Sequence, residues 1–430
     1  MNDRIVVSQL GARMHYGVPR ILEAAGQLER LYTDIAAHRG WPRRVGRLPP
    51  GLLPKAVRRL CGRIPEGIAP ERVTDFPAFG LALGLRRMLA RTPSRETAAT
   101  LWAAPRFARL VARRGFGDAG GFYGFSGDSL EQLVAARQAG LWTVVEQIIA
   151  PRGLLDRLIE EEEESFPEWR LDTEGDRFAQ AFAGREKAEW AAADLVVCGS
   201  EFVREGVIAA SGGAARCAVV PYGVDRRFTL PPKAPRQGPL RILTVGVSGL
   251  RKGTPYVLEA ARRLAGKAHF RLVGPCGVPG PVNATLGAAM EVTGIVPRAE
   301  ILAHFAWADV FLLPSLCEGS ATVVYEALAA GLPVVTTANT GTVVRDGREG
   351  FIVPIRDPEA IVAAIERLDG DRDLLAEMAE AAQRRAADFD LASYGCRLRL
   401  ALAHARELHR PQTDERPLPA PPLRAAVQGA

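Results

Sequence analysis

Residues 241–266 read RILTVGVSGLRKGTPYVLEAARRLAG, and three structural signals follow one another in this stretch. The apolar run over 241–245 predicts a buried β-strand. Thr254 is a good N-cap, Pro255 suits the first position of a helix, and Gly266 can close that helix. A strand, a glycine-bounded loop and a helix in this order predict one unit of a parallel α/β sheet.

The same alternation of strands and helices continues on both sides of this unit. Downstream, the sequence predicts strands at 269–273, 291–293, 310–313, 333–336 and 350–353, with helices at 255–265, 300–306, 321–330 and 358–369. Upstream, it predicts strands at 4–7, 121–125, 142–146, 195–198 and 218–220, with helices at 18–30, 128–139, 154–166 and 176–193 and a short one from residue 201. Short, mostly apolar strands separated by helices indicate buried parallel sheets.

A polar, Pro-rich segment, LPPKAPRQGPL at 230–240, separates the two runs and predicts a linker. The expected fold class is therefore α/β, with two Rossmann-like, doubly wound parallel-sheet domains facing each other across a cleft. We place the N-terminal domain at 1–232, the linker at 233–239 and the C-terminal domain at 240–390. The tail at 411–430 is Pro-rich without periodicity, and we expect it to be disordered.

Composition narrows the class of protein further. Of 430 residues, 47% are hydrophobic and 24% charged, which is typical of a globular protein and excludes wholesale disorder. No apolar stretch is long enough for a transmembrane helix, and the run at 5–7 is too short for an export signal. The six cysteines are scattered without metal-binding spacing, which indicates a reducing compartment. We expect a cytoplasmic protein.

Positive charge is concentrated in one window of the chain. Residues 41–114 hold 16 Lys and Arg against four Asp and Glu, a local excess of +12, whereas the whole chain carries +6. Such a window can contact an anionic membrane at its inner face, bind an acidic acceptor, bind nucleic acid or form a solvated helical face. Nucleic acid has the least support, because no DNA- or RNA-binding motif accompanies the charge.

Two cations, Arg251 and Lys252, stand immediately before a predicted helix N-terminus. Free backbone N–H groups, the helix dipole and two positive side chains together favour a pyrophosphate site. The alternative is a solvated Arg-Lys pair in a turn.

A second candidate site is PSLCEGSATVVYEALAAGLPVV at 314–335, in which Glu318 and Glu326 are eight residues apart. Thr322 and Glu326 share one face of a predicted helix, and Gly319 and Ser320 lie at its mouth. A glutamate so placed can accept hydrogen bonds from the two hydroxyls of a ribose. The alternative is a solvent-facing pair of glutamates beside a core helix.

At these motifs the sequence resembles the retaining family-four glycosyltransferases of the GT-B fold. The resemblance is carried by VGVSGLRKG, TGIVPRAEI, the Glu-x7-Glu segment and GTVVRDGREGFIVP, with ADLVVCGSEFVREG and VVPYGVD before the linker. It implies that Arg251 and Lys252 bind the donor diphosphate, that Glu326 binds the ribose and that Glu318 lies beside the donor sugar. It also implies that a C-terminal helix at 391–410 crosses back onto the N-terminal domain.

The resemblance completes the set of candidate residues. Catalytic candidates are Arg251, Lys252 and Glu318, and donor-binding candidates are Gly11, Gly246, Val296, Pro297, Gly319, Ser320, Ala321, Thr322 and Glu326. His15 and Glu146 are acceptor-side candidates, the latter standing where many relatives carry a histidine. No metal ligand and no cofactor is expected, since the Asp-x-Asp patterns at 369–373 sit at a helix end and indicate turns.

The predicted function is transfer of a sugar from a nucleotide-diphosphate donor to a saccharide or lipid-linked hydroxyl acceptor, with retention, in envelope polysaccharide or glycolipid synthesis. Two alternatives stay open: a nucleotide-sugar epimerase of the same fold, and a non-catalytic nucleotide-sugar-binding protein. A dinucleotide oxidoreductase is disfavoured, because no GxGxxG follows the first strand.

Overall fold

The computed structural model describes residues 3–45, 57, 60–90, 92–171, 175–231, 236–297 and 300–409. Its first sheet is wholly parallel, with seven strands in the order β3-β2-β1-β4-β5-β6-β7. These strands are β1 (Ile5–Gln9), β2 (Leu28–Thr33), β3 (Val73–Asp75), β4 (Gly121–Phe125), β5 (Trp142–Gln147), β6 (Leu195–Cys198) and β7 (Cys217–Val219). The described helices around it are α1 (Gly17–Ala24), α2 (Gly40–Val45), α3 (Pro77–Leu89), α4 (Pro93–Arg114), α5 (Leu130–Gln138), α6 (Arg152–Ser165), α7 (Ala179–Ala192) and α8 (Glu201–Ala210).

The second sheet is also parallel, with six strands in the order β10-β9-β8-β11-β12-β13. Its strands are β8 (Leu240–Val245), β9 (Ala268–Val273), β10 (Glu291–Gly294), β11 (Val310–Leu313), β12 (Val334–Thr336) and β13 (Gly350–Ile352). Its described helices are α9 (Thr254–Arg263), α10 (Gly280–Ala289), α11 (Ile301–Trp307), α12 (Thr322–Ala329), α13 (Pro358–Gly370) and α14 (Arg372–Ala387). In both sheets the strand order reverses once, between β1 and β4 and between β8 and β11, and such reversals are where doubly wound folds bind ligands.

The two domains face each other through the carboxyl ends of their strands. Ser200, which follows β6, donates its hydroxyl to the carbonyl of Gly319, which follows β11, at 2.5 Å. A side chain at Gly319 would collide with the carbonyl of Ile148, which follows β5. The cleft is therefore closed at this point, and only glycine fits there.

Two further elements join the domains. On α6, the fully buried Glu162 accepts a hydrogen bond from Tyr256 of α9 at 2.8 Å and pairs with Arg356. The C-terminal helix α15 (Leu391–Leu408) packs on the first domain, where Tyr394 and Leu398 enter the same buried cluster as residues of β4 and β5. Side chains of α15 thus contribute to the core of the first domain.

The predicted fold class is confirmed. In the N-terminal region, β3 and the helices α2, α3 and α4 were not predicted, and the bounds of the first helix differ. The helix predicted at 18–30 ends at Ala24, and the residues that follow form β2 from Leu28. Leu28 and Leu31 are three residues apart, which is helical spacing. The charged Glu29 and Arg30 between them break the apolar run that would indicate a strand. These charged residues form hydrogen bonds with neighbouring side chains: Arg30 donates to Thr74 at 3.1 Å, and Glu29 accepts from Arg4 at 3.2 Å.

Part of the domain assignment lies outside the described residues. This applies to 232–235 in the linker and to the tail at 411–430, as well as to residues 46–56 of the basic window. The Asp-x-Asp pattern is described, and Asp371 there accepts the N–H of Leu374 at 2.9 Å as the N-cap of α14.

Candidate functional site: two facing strand-end clusters

The loop after β8 brings two cations to the start of α9. Residues Leu250–Lys252 form one turn of 3-10 helix, and Gly253 follows in the left-handed region at φ 67°. A side chain at Gly253 would collide with the carbonyl of Pro314, so this loop lies directly against the loop after β11. The free backbone N–H groups expected here are not found, because Thr254, Tyr256 and Val257 donate to Gly249 and Gly253 and Pro255 has no N–H. The two positive side chains and the dipole of α9 still lie near the reversal of strand order, which suits an anion.

The prediction that Thr254 caps α9 is wrong. Gly253 occupies the N-cap position, and Thr254 is the first residue of the helix. The Thr254 hydroxyl instead accepts the N–H of Gly249 at 2.9 Å, which closes the loop onto the helix. A left-handed N-cap favours glycine, so the turn geometry overrides the capping preference of threonine.

Glu318 lies between the two cations. Its Oε1 is 2.5 Å from Nη1 of Arg251 and 2.7 Å from Nζ of Lys252. Burial lowers the pKa of Lys252, while the neighbouring Glu318 carboxylate raises it. Asn339, which sequence reasoning missed, holds this loop in place. Its backbone carbonyl accepts the N–H of Glu318 at 3.0 Å, and its side-chain amide donates to the backbone carbonyl of Leu316 at 2.9 Å. No sequence signal distinguishes this asparagine.

The helix after Glu318 carries the other predicted donor residues. Thr322 begins α12 and is exposed, and Glu326 lies in its second turn, half-buried. Gly319, Ser320 and Ala321 are buried instead of lining an open mouth. The Ser320 hydroxyl is bonded to Tyr325 at 2.6 Å, and the Ala321 N–H donates to Thr340 at 3.3 Å.

The remaining predicted residues of the second domain lie at the same edge of the sheet. Gly246 follows β8, and the Lys252 side chain packs so closely on it that a Cβ would lie 3.1 Å from Cε of the lysine. Val296 and Pro297 follow β10, the former half-buried and the latter exposed. The structure thus brings the loops after β8, β10 and β11 to one face of the cleft.

In the first domain, the loop after β1 is strained. Gly11 lies at φ 79°, and its N–H donates to Oδ1 of Asp34 at 2.9 Å. Met14, His15 and Tyr16 then all have positive φ, at 45°, 51° and 60°. Three such residues in succession are costly for side chains with a Cβ, and strain of this kind concentrates at functional sites. His15 is exposed on this loop.

Glu146, the other acceptor-side candidate, lies at the end of β5 and is 1% exposed. Its two oxygens accept hydrogen bonds from Tyr123 at 2.5 Å and from Tyr222 at 2.7 Å. Burial raises the pKa of the Glu146 carboxyl, against the lowering effect of the two tyrosine hydroxyls. The structure therefore places Glu146 inside the core and away from the surface of the cleft.

A charged cluster that sequence reasoning missed lies at the carboxyl ends of β1, β2 and β4. Arg63 pairs with Asp34 at 2.9 Å, and Arg13 lies 3.9 Å from Asp128. Arg87 of α3 lies within electrostatic reach of both pairs. Asp34 directly follows β2, and Asp128 lies in the loop after β4. A position just after a strand was the sequence signal for these two residues, but β2 itself was not predicted.

Two facing Rossmann-like sheets with charged loops at their reversals of strand order define the GT-B class of proteins. Residues 239–371 match the model of the family Glycosyl transferases group 1. This match places the second domain in that family, and the resemblance to the family-four glycosyltransferases is confirmed.

Similar proteins come from several bacteria. The chain is 32% identical over 200 residues to the putative colanic acid biosynthesis glycosyltransferase WcaL of Salmonella typhimurium, covering 41% of this chain and 48% of WcaL. It is 30% identical over 191 residues to the amylovoran biosynthesis glycosyltransferase AmsK of Erwinia amylovora, covering 39% and 46%. The chain therefore spans about half the length of the curated relatives it matches.

Solved structures share the fold over nearly the whole chain. A sucrose-phosphate synthase from Thermosynechococcus elongatus aligns with a TM-score of 0.65 at 16% identity, covering 94% of this chain and 98% of that one. HepE from Anabaena in complex with UDP aligns at 0.59 and 16% identity, covering 93% and 100%. At this level of identity the similarity shows the fold alone.

Proposed function

We propose that this chain transfers a sugar from a nucleotide-diphosphate donor to a hydroxyl acceptor, with retention of anomeric configuration. The observation that carries the proposal is the convergence of Arg251 and Lys252 on one carboxylate oxygen at the start of α9. Glu318 supplies one negative charge against these two positive charges, which leaves one positive charge for an anionic ligand. The strand-order reversal of a doubly wound sheet is where nucleotides bind.

The charge on these residues suits the departing group. During transfer the bond between the anomeric carbon and the diphosphate oxygen breaks, and negative charge grows on the diphosphate. Arg251, Lys252 and the N-terminus of α9 stabilise that charge. The acceptor oxygen forms the new bond to the anomeric carbon, and the hydroxyl loses its proton. We propose that no metal takes part, because the two cations already perform the charge-stabilising role.

The remaining donor contacts are assigned by their place along the cleft. Glu326 binds the ribose hydroxyls, and Thr322 lies on the same face of α12. Val296 and Pro297 border the base. Glu318 orients the two cations and lies beside the donor sugar. Gly11 faces the donor from the opposite domain, and His15 is an acceptor-side candidate on the same loop.

The names of two relatives support a role in polysaccharide synthesis. WcaL is described as a colanic acid and AmsK as an amylovoran biosynthesis glycosyltransferase. We infer that this chain likewise acts in the synthesis of an envelope polysaccharide or glycolipid. HepE, a fold neighbour, binds UDP, which makes a uridine nucleotide the first donor to test.

We also propose contact with the anionic inner face of a membrane, made by α3. Leu81, Leu85, Met88 and Leu89 follow the spacing i, i+4, i+7, i+8 and are between 47% and 65% exposed, so they form one apolar stripe facing outward. Arg86 flanks the stripe, 4.2 Å from the ring of Trp102 on α4. None of the described helices is both long and apolar enough to cross a bilayer. An amphipathic helix lying on the surface is the form of contact that we propose.

One experiment separates the proposed function from its alternatives. The full chain is incubated with a panel of nucleotide sugars, with and without extract from a polysaccharide-producing bacterium, and free nucleotide diphosphate and sugar configuration are measured. A transferase releases nucleotide mainly when acceptor is present and gives a product of unchanged configuration. An epimerase changes the sugar without releasing nucleotide. Binding of the nucleotide sugar with neither change would identify a non-catalytic binding protein.

A further inference from the structure

We propose that Arg13, Arg63 and Arg87 form a subsite for a phosphate group carried by the acceptor. The inference rests on the proposed function, because it names the chemical class of the second substrate. It concerns the first domain, and the donor diphosphate is assigned to Arg251 and Lys252 of the second.

The three arginines come from different elements near the carboxyl ends of β1, β2 and β4, and Arg13 and Arg63 both lie within electrostatic reach of Arg87. Arg13 follows β1 and faces Asp128, which follows β4, so this pair spans the reversal. Arg63 is anchored on Asp34 at the end of β2. Ligands of doubly wound domains bind at this place, and here it faces the cleft.

Arg13 keeps hydrogen-bonding capacity. Its Nη2 lies 3.9 Å from Oδ2 of Asp128, which is beyond hydrogen-bond distance. Its Nε is buried and has no hydrogen-bond partner within the described part of the chain. The guanidinium lies 5.3 Å from the centre of the Phe125 ring, so its orientation is restricted. A buried N–H without an acceptor is costly, and an oxyanion would satisfy it.

Arg87 is accessible to solvent, yet enough protein surrounds its guanidinium to lower its pKa. Arg13 and Arg63 lower it further, while Asp34 and Asp128 raise it. Within the described residues, no ion pair holds the Arg87 side chain. A recessed but open cation of this kind is suited to meet an anion that enters from the cleft.

The ion pairs of Arg63 with Asp34 and of Arg13 with Asp128 leave Arg87 without a paired carboxylate among the described residues. The buried Glu146 is a third carboxylate within electrostatic reach of Arg13. Asp34 already accepts the N–H of Gly11 and the hydroxyl of Thr33 in addition to Arg63. Asp128 is 2% exposed, and burial raises the pKa of its carboxyl while Arg13, Arg185 and Arg87 lower it. A phosphate monoester has three terminal oxygens and up to two negative charges, so it can accept from several arginines at once, whereas a carboxylate offers two oxygens and one charge. This difference favours phosphate as the ligand.

The test measures binding, so it does not depend on turnover. Inorganic phosphate and hexyl phosphate are titrated into the full chain saturated with nucleotide diphosphate, and phosphorus NMR follows the bound fraction. We expect saturable binding that falls at least fivefold in Arg13→Gln and in Arg87→Gln. The control is Arg109→Gln, an exposed arginine whose Nε donates to the carbonyl of Pro105 in its own helix α4, and it should bind like wild type. Tighter binding of hexyl phosphate than of phosphate would identify a lipid phosphate as the source.

Several outcomes would overturn the inference without touching the proposed function. Wild type that binds nucleotide diphosphate but no phosphate, or Arg87→Gln that binds phosphate as tightly as Arg109→Gln, would remove the subsite. Arg87 is on the surface, so its variant tests the subsite even where Arg13→Gln fails to fold. Failure of wild type to bind any nucleotide diphosphate would instead contradict the proposed function.

Discussion

Nζ of Lys252 lies 2.7 Å from Oε1 of Glu318, and this contact joins the loop after β8 to the loop after β11 where the strand order of the second sheet reverses. In the first sheet, Arg13 and Asp128 occupy the equivalent position across β1 and β4 at 3.9 Å. Both domains thus present a cation and a carboxylate to the same cleft. The tight pair is on the proposed donor side and the loose pair on the proposed acceptor side.

The first prediction concerns Glu326. Glu326→Gln should weaken binding of nucleotide diphosphate, because it removes a charged acceptor for the ribose hydroxyls. A charge-assisted hydrogen bond contributes ~1.5–3 kcal/mol, roughly a tenfold to hundredfold change in affinity. Calorimetric titration of nucleotide diphosphate measures the effect, with the exposed Glu377→Gln on α14 as control. Affinity equal to wild type would rule out the ribose contact.

Glu318→Gln should behave differently. In the proposed mechanism Glu318 lies where charge changes during bond cleavage, so its loss should lower the turnover number more than the affinity for nucleotide diphosphate. The two cations would remain in the loop before α9 and could still bind the diphosphate. Steady-state kinetics and calorimetry on the same preparation separate the two effects. A variant that loses nucleotide binding but turns over normally at saturation would contradict this assignment.

Activity should survive chelation. Arg251, Lys252 and the N-terminus of α9 supply the positive charge that a metal supplies elsewhere. Among the described residues, no three His, Cys, Asp or Glu side chains are grouped so that they could hold a metal ion. Turnover measured with excess EDTA should match turnover without it. Loss of activity that manganese restores would show that the cations alone do not suffice.

Binding to anionic vesicles should depend on the apolar stripe of α3. Burying one leucine contributes ~1.5–3 kcal/mol, so the double variant Leu85→Ser/Met88→Ser should bind at least tenfold more weakly. Cosedimentation should also fall as salt rises, since exposed charges are screened over ~8 Å at physiological ionic strength. Leu400→Ser, which changes a 72% exposed leucine on α15, is the matched control. Equal binding by both variants, or equal binding to neutral vesicles, would exclude α3 as the contact.

Glu186 should make stability fall as pH rises. Burial raises the pKa of this carboxyl from 4.5 to about 7, although the N–H of Arg152 and the amide of Gln147 donate to it. A folded pKa above the unfolded one means that this stabilisation is complete below pH 4.5 and is lost as pH rises through 7. Glu186→Gln should flatten the decline by about 2–3 kcal/mol, measured by denaturant unfolding across that range. Glu160→Gln, an exposed carboxyl on α6, should leave the decline as in wild type.

The sequence predicted the second domain better than the first, for a physical reason. Its strands are short apolar runs separated by clear helix signals. The cation loop before α9 is local in sequence, so the position of Arg251 and Lys252 before that helix could be predicted from the residues. β2 contains charged residues and β3 is only three residues long, so neither has a clear strand pattern in the sequence. Both are recognised as strands only from their pairing with neighbouring strands. The pairing of Glu318 with Lys252 joins residues far apart in the chain and needs the folded sheet to be seen.

The N-terminal cluster shows the same limit. Arg63 belongs to the basic window at 41–114, for which an acidic acceptor was one of the predicted partners. The composition of the window does not indicate which of its arginines face the cleft. Asp34 follows a strand that was assigned to a helix, so its place at the sheet edge was hidden. The burial of Glu146 under two tyrosine hydroxyls also depends on partners distant in sequence.

The C-terminal helix has a consequence for the order in which the protein is made. Within this chain β1 is synthesised before α15, yet the core around β4 and β5 also needs Tyr394 and Leu398 of α15. The second sheet and its helices are already complete by then, because they lie between β8 and the end of α14. The first domain therefore leaves the ribosome before the second but completes its core after it. Until α15 is synthesised, part of the core of the first domain stays uncovered.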